Sequence, residues 1–275
     1  MSAAGPGPLV FAHRGSSAAL PEHTLAAYLH ALAEGADGLE CDVRLTRDGH
    51  LVCVHDRRLN RTSNGRGRVS AHTLADLNNL DFGSWHRPAA PITGPPAEPV
   101  PADDPPDPDR VRLLTLARLL DAVRDAGRDV HLLIETKHPS RYGAEVERRL
   151  VALLRRYGLA APVPDDAVRV TVMSFSPLAI RVLGQLAPTL PTALLLDVLP
   201  PRVRLQRLPF GAAVAAPSVG LLRSRPGLLR TLRAAGHQVY VWTVNDPVDL
   251  ERVVAGGANG VITDYPARAL ARLGR

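Results

Sequence analysis

Residues 9–46 read LVFAHRGSSAALPEHTLAAYLHALAEGADGLECDVRLT, and the change of period inside this stretch decides the fold. LVFAHRG (9–15) is a short apolar run of the kind that forms a buried strand. PEHTLAAYLHALAEG (21–35) puts Leu25, Tyr28, Leu29 and Leu32 on one helical face, with Thr24 as N-cap and Gly35 as stop. GLECDVRLT (38–46) returns to strand. The same alternation continues outward: HLLIETK, VRVTVMSF, TALLLD, AAVAAPS, QVYVWTV and NGVITDY read as strands, and most are followed by amphipathic helical stretches such as YGAEVERRLVALLRRYG. Eight strand candidates with intervening helices in 275 residues predict an α/β chain folded as one closed parallel (β/α)8 TIM barrel, a single domain over 1–275. A doubly wound open sheet is the alternative. The weakest unit is the fifth, where PPRVRLQRLP (200–209) offers at most a short helix.

Two features interrupt the alternation. Arg47-Asp48-Gly49-His50 followed by LVCVHD is a turn and a returning strand, which predicts a hairpin appended to the second strand. If Asp48 and Gly49 are the two central turn residues, facing residues sum to 97 and His55 lies opposite Asp42. Residues 57–111 then fit neither strand nor helix and are read as an insertion on the barrel's C-terminal face. Within them, 88–108 holds nine Pro and four acids, which cannot pack a core and is expected to be extended and mobile.

Composition excludes several classes. With 45% hydrophobic and 22% charged residues the chain is neither disordered nor fibrous. No apolar run reaches the ~20 residues of a membrane span, and no basic segment precedes the short apolar start, so a cytoplasmic protein is the expectation. Cys41 and Cys53 fit buried apolar positions rather than a disulfide framework or a metal motif. The net charge of +6 is lopsided: residues 198–275 carry eleven Arg against four acids, and 198–245 contain no acid. With only 4% aromatic residues and no nucleic-acid motif, solvated helix faces are the preferred reading and no nucleic-acid partner is expected. The Arg-rich stretch leaves room for peripheral contact with an anionic lipid surface.

Polar residues at strand ends carry the chemistry, because burying an unpaired charge is costly. The first strand ends in His13-Arg14, the second carries Glu40 and Asp42 two apart on one face, the hairpin strand ends in His55-Asp56, and the next ends in Glu135-Thr136-Lys137. Three clustered carboxylates repel one another unless a cation sits among them, and an oxygen donor set suits Mg²⁺ or Ca²⁺, with Mn²⁺ as a further candidate. Lys137 is the one lysine in the chain, a compact charge beside Glu135.

These residues, with PEHT (21–24), RTSNGRGRVS (61–70), LDFGSW (80–85), TLARLL (115–120), SFSP (174–177), VWTVN (241–245) and GVITDYP (260–266), resemble the glycerophosphodiester phosphodiesterase family, whose barrels also resemble phosphatidylinositol-specific phospholipases C. The resemblance implies metal-dependent hydrolysis of small glycerophosphodiesters to glycerol 3-phosphate and an alcohol. It implies Glu40, Asp42 and Glu135 as ligands of one divalent cation and His13 and His55 as the acid–base pair. It also implies Arg14 and Lys137 as phosphate contacts and Trp242 beside the glycerol. Where the family has Asn, this chain has His23, read here as capping the helix start rather than touching a metal or phosphate. The alternatives are a lysophospholipase D or phospholipase C type activity on larger amphiphiles, and a non-catalytic phosphodiester-binding barrel. Headgroup, oligomeric state and the division of labour between the histidines are left open by the sequence.

Overall fold

The structure is a computed structural model that describes residues 7–87, 107–199 and 206–275. Its strands are β1 (Leu9–His13), β2 (Gly38–Leu45), β3 (Leu51–Cys53), β4 (Val130–Thr136), β5 (Val168–Ser174), β6 (Thr192–Leu196), β7 (Val214–Pro217), β8 (Gln238–Val241) and β9 (Gly260–Thr263). All but β3 run parallel, in the order β1-β9-β8-β7-β6-β5-β4-β2, and β2 pairs back to β1 to close an eight-stranded barrel. The antiparallel β3 lies along the end of β2.

The helices are α1 (Leu25–Ala33), α2 (Leu74–Asn78), α3 (Pro108–Val111), α4 (Leu116–Arg124), α5 (Glu145–Arg156), α6 (Pro177–Leu186), α7 (Val219–Ser224), α8 (Leu228–Ala234), α9 (Pro247–Ala255) and α10 (Pro266–Arg272). Thr24, Thr115 and Ser176 each cap a helix with the side-chain oxygen. Strand alternation divides the chain between two cores. Leu39, Cys41 and Val43 of β2 and Val130, Leu132 and Ile134 of β4 face the helices, while Phe11, Leu133, Met173, Leu195, Tyr240 and Ile262 fill the barrel interior. The Phe11 ring finds room in the interior beside two glycines, Gly38 of β2 and Gly260 of β9: a Cβ on either would lie 2.7 Å from that ring. Both cysteines are buried, as their apolar reading requires.

Several expectations need correction. The hairpin register is one residue off: Val43 faces Cys53 and Leu45 faces Leu51, so facing residues sum to 96 and the Val54 amide, not His55, bonds to Asp42 O. The cause is a three-residue loop, in which Gly49 N returns to Thr46 O with Gly49 at φ +83°, the conformation that ends a type I turn with a bulge. On α1 the buried face is Leu25, Ala27, Tyr28 and Ala31, and Leu29 is exposed. Residues 57–87 contain α2, closed by a capping box at Thr73, and Leu59, Val69, Leu77 and Phe82 pack with Val52 and Val54 into a small core of their own. The expected mobility of 88–108 falls mainly on residues 88–106, which lie outside the described residues. In the fifth unit, 200–205 also lie outside them, and Pro209–Gly211 forms a single 3₁₀ turn. The short α7, capped by Ser218, was not anticipated.

Candidate active site

The carboxyl ends of the strands gather the predicted residues into one cleft of about 100 Å³. His13, Arg14, Glu40, His55, Glu135, Lys137 and Trp242 line it, together with Phe175 and Met173. Asp42 lies just beneath, 1% exposed. The residues His13-Arg14-Gly15 form a sharp exit from β1. Arg14 adopts a left-handed backbone (φ +59°) that directs its amide to Glu40, 3.1 Å to Oε2, and Gly15 follows at φ +84° because any Cβ there would strike the Ala27 backbone at 2.7 Å.

One carboxylate oxygen from each of Glu40, Asp42 and Glu135 lies within 4.8 Å of the others, and all three side chains are buried. Register explains this: β2 and β4 are parallel neighbours with Asp42 beside Glu135, and Glu40 lies two residues back on the same face. Lys137 Nζ sits 2.7 Å from Glu135 Oε1 and 3.3 Å from Asp42 Oδ1. Burial, then the neighbouring Asp42, pushes Glu40 well above the carboxylate range and Glu135 up to about 8. Burial acts on Asp42 too, but the His23 hydrogen bond, Lys137 and Arg14 outweigh it and hold that carboxyl well below its usual value. Two acids raised by burial and by a neighbouring carboxylate are what a hard dication would relieve, and an all-oxygen donor set matches one.

Each cleft histidine rests its Nδ1 on a carboxylate. His13 Nδ1 is 2.6 Å from Asp264 Oδ1, and His55 Nδ1 is 2.7 Å from Asp56 Oδ1. Burial opposes the ionisation of both acids, but their hydrogen-bond partners dominate and hold each at about 2. An ionised carboxylate at Nδ1 accepts that N–H and leaves Nε2 as the free nitrogen. Asp264 is itself fixed by Ser17 Oγ at 3.0 Å and Asn245 Nδ2 at 2.5 Å. Burial, with Arg14 and Lys137 adding to it against Asp42, lowers His55 to about 4, so its ring is neutral at neutral pH.

A second tier ties the two sides together. Arg61 donates from Nε to Asp56 (2.7 Å) and forks onto Glu22 at 2.7 and 2.8 Å, and Glu22 also accepts Arg14 Nη1 at 3.0 Å. The far wall is apolar: Phe175 packs edge-on against Trp242 at 5.4 Å, and Trp242 Nε1 is anchored on Ala216 O at 2.6 Å.

His23 is a correction. Thr24, not His23, caps α1; His23 stands at φ +63° and bridges Tyr28 Oη (2.8 Å) to Asp42 Oδ2 (2.9 Å), behind the cleft. Asp56 was named with His55 at a strand end but given no role, and Asp264, Glu22, Arg61 and Phe175 were not singled out from the sequence. Asp264 was within reach, since ITD ends a strand in a charge as the other site strands do. Glu22 and Arg61 sit on loops, where no periodicity marks them.

Comparison with known proteins matches residues 13–268 to the glycerophosphoryl diester phosphodiesterase family. The chain belongs to that family. The chain is 47% identical over 266 residues to the probable glycerophosphodiester phosphodiesterase 1 of Mycobacterium tuberculosis, covering 97% of this chain and 92% of that one. It is 34% identical to the glycerophosphodiester phosphodiesterase of Bacillus subtilis, covering 94% and 84%. Among solved structures, an Oleispira antarctica phosphodiesterase in complex with the product sn-glycerol-3-phosphate superposes with a TM-score of 0.77 at 24% identity, covering 98% of each chain. The glycerophosphodiester phosphodiesterase of Agrobacterium tumefaciens gives 0.71 at 25% identity, covering 96% and 99%. Among the described residues, no helix is long and apolar enough to cross a membrane.

Proposed function

We propose that this member of the glycerophosphodiester phosphodiesterase family hydrolyses small glycerophosphodiesters to glycerol 3-phosphate and an alcohol, using one divalent cation and two histidines. The observation that carries the reading is the buried triad of Glu40, Asp42 and Glu135 in the same cleft as two imidazoles, each with its Nδ1 on a carboxylate. A divalent ion held by the triad supplies Lewis-acid withdrawal of charge from the phosphate.

The chain's own groups do the rest. Arg14 and Lys137 bind the non-bridging phosphate oxygens, the guanidinium as a planar fork and the ammonium as a point charge. His55, neutral through its burial, accepts at Nε2 the proton of the attacking oxygen. His13 gives the proton at Nε2 to the departing alcohol, its ring held by Asp264. Trp242 and Phe175 present an apolar wall to the carbon skeleton of the glycerol.

Turnover of glycerophosphocholine after chelation, and again after return of Mg²⁺, Ca²⁺ or Mn²⁺, tests the reading. Loss and recovery are expected, with glycerol 3-phosphate as a product. The positioning role of Asp264 has its own signature: Asp264→Asn is expected to lower kcat by about 10²-fold with KM nearly unchanged, because a neutral amide at Nδ1 does not support the doubly protonated ring from which His13 donates at Nε2. A rise in KM at constant kcat would assign Asp264 to substrate binding instead.

A lysophospholipase D type activity on larger amphiphiles is the second reading. It is favoured by Phe175 in the cleft wall, 43% exposed, and by Leu178, 66% exposed in the first turn of α6 just beyond. The ratio of kcat/KM for glycerophosphocholine and lysophosphatidylcholine, at low and high salt, separates the two. Preference for the water-soluble diester with weak salt dependence removes the amphiphile reading.

A further inference from the structure

A second cavity opens at the opposite end of the barrel. Its volume is about 780 Å³, and Leu9, Arg169, Val214 and Gln238, near the starts of β1, β5, β7 and β8, help to line it. This lies within the ~300–1,000 Å³ of small-molecule sites.

The walls are hydrocarbon, from Leu9, Leu159, Val163, Leu190 and Val214, and Tyr240 contributes an aromatic ring that packs on Phe11 at 5.1 Å. At the mouth of this apolar space stands one full charge, Arg169, whose side chain is exposed. On β5, Val168, Val170 and Val172 face the helices while Met173 lies in the interior, so strand alternation puts Arg169 on the interior face. The lining contains no Asp or Glu, and among the described residues Arg169 has no ion pair. Asp166, its nearest acid in sequence, is turned to the Val168 amide at 3.0 Å. The other polar side chains are neutral hydrogen-bonding ones: Gln238, Thr171, Asn259, whose Oδ1 accepts the Val239 amide at 2.9 Å, and His131, whose Nε2 lies 2.9 Å from Thr171 Oγ1. Burial lowers His131 to about 4, with Arg169 adding to it, so the ring carries no competing charge.

We infer that the N-terminal mouth of the barrel is a binding site, separate from the catalytic cleft, for an organic monoanion with a hydrocarbon body, of which a medium-chain carboxylate is the matching class. One arginine without a carboxylate partner calls for one negative charge, and a carboxylate meets its fork in bidentate geometry. A phosphate monoester brings about two charges to a single cation and fits less well. The apolar wall calls for a hydrocarbon body rather than a sugar or nucleotide.

The test is calorimetric titration of the ion-loaded protein with decanoate below its micellar range, with decanol and decyl phosphate as companions. Saturable binding of decanoate, tighter than that of either companion, is expected. Arg169→Gln should weaken it by at least about tenfold, the loss of one charge-assisted contact. Ala213→Phe, at an exposed rim position, should block it while leaving phosphodiesterase turnover unchanged. Absence of saturable binding, equal binding of decanol, or affinity unaltered in both variants overturns the inference. So does binding that survives both variants but is lost in Phe175→Ala, which would seat the acid in the cleft at the other end.

Discussion

Replacing His13 or His55 by Ala is expected to lower kcat on glycerophosphocholine by at least about 10²-fold each, with ion affinity retained, and the two losses should differ in kind. His13 lies on Asp264 and is assigned to protonate the leaving alcohol, so its absence matters only while that alcohol is a poor leaving group. With a p-nitrophenyl ester of glycerol phosphate, whose leaving group departs without a proton, His13→Ala should regain most of its loss and His55→Ala none. The assignment of His55 as base follows from its neutrality: burial, with Arg14 and Lys137 adding to it, keeps it at about 4, so the acidic limb of kcat/KM should lie well below the ordinary histidine value of ~6.5. Recovery in His55→Ala instead would exchange the two roles. Near-normal turnover of either variant on glycerophosphocholine would remove that histidine from the mechanism.

The second large effect is on stability, and its sign follows from the triad. Glu135 is raised to about 8 and Glu40 well above its usual range, in both cases by burial first and Asp42 next. A folded-state value above the unfolded one, ~4.3 for Glu, means that the folded chain holds the proton more tightly. For Glu135 that stabilisation is complete below about pH 4 and is lost as pH rises through about 8, and Glu40 acts with the same sign. Asp42, depressed by its partners, acts with the opposite sign, but only below its unfolded value of ~3.9 and so outside this window. The chelated protein is therefore expected to lose Tm steadily between about pH 5 and 9, and Glu135→Gln to lose less. Because an ion competes with the protons of the triad, the Tm it restores should grow over the same range. Thermal melts in EDTA and in Mg²⁺ across this range measure it. A flat profile in EDTA, or one as steep in Glu135→Gln, would mean that the carboxylates do not repel as their spacing requires.

The barrel and its acidic triad were legible in the sequence because both rest on period. Glu40 and Asp42 are two apart on a strand, and Glu135 ends the strand that register places beside it. Arg14, Lys137 and the two histidines follow from strand ends in the same way. His55 was placed in the cleft by an argument whose register was wrong by one. The loop from Thr46 to His50 has three central residues rather than two, and Asp-Gly is compatible with both lengths until the backbone is seen. His55 still reaches the cleft because it lies two residues past the end of β3, where strand pairing no longer dictates its direction. What escaped were partners brought in from far away in sequence. Asp264 meets His13 across 251 positions and Arg61 meets Glu22 across 39, distances that no local pattern encodes. His23 escaped for a conformational reason: at φ +63° its side chain leaves the cap position to Thr24 and swings back to Asp42. The core under residues 57–87 escaped because Leu59, Val69, Leu77 and Phe82 follow neither a period of two nor of 3.6.

Titration of the chelated protein with Mg²⁺, Ca²⁺ and Mn²⁺ by calorimetry, with turnover followed on the same samples, bears most directly on the triad. One ion per chain should bind, with activity returning in step, and Glu40→Gln and Glu135→Gln should each lose both. Full turnover in the chelated protein, or an ion bound as tightly once those two carboxylates are neutral, would contradict it.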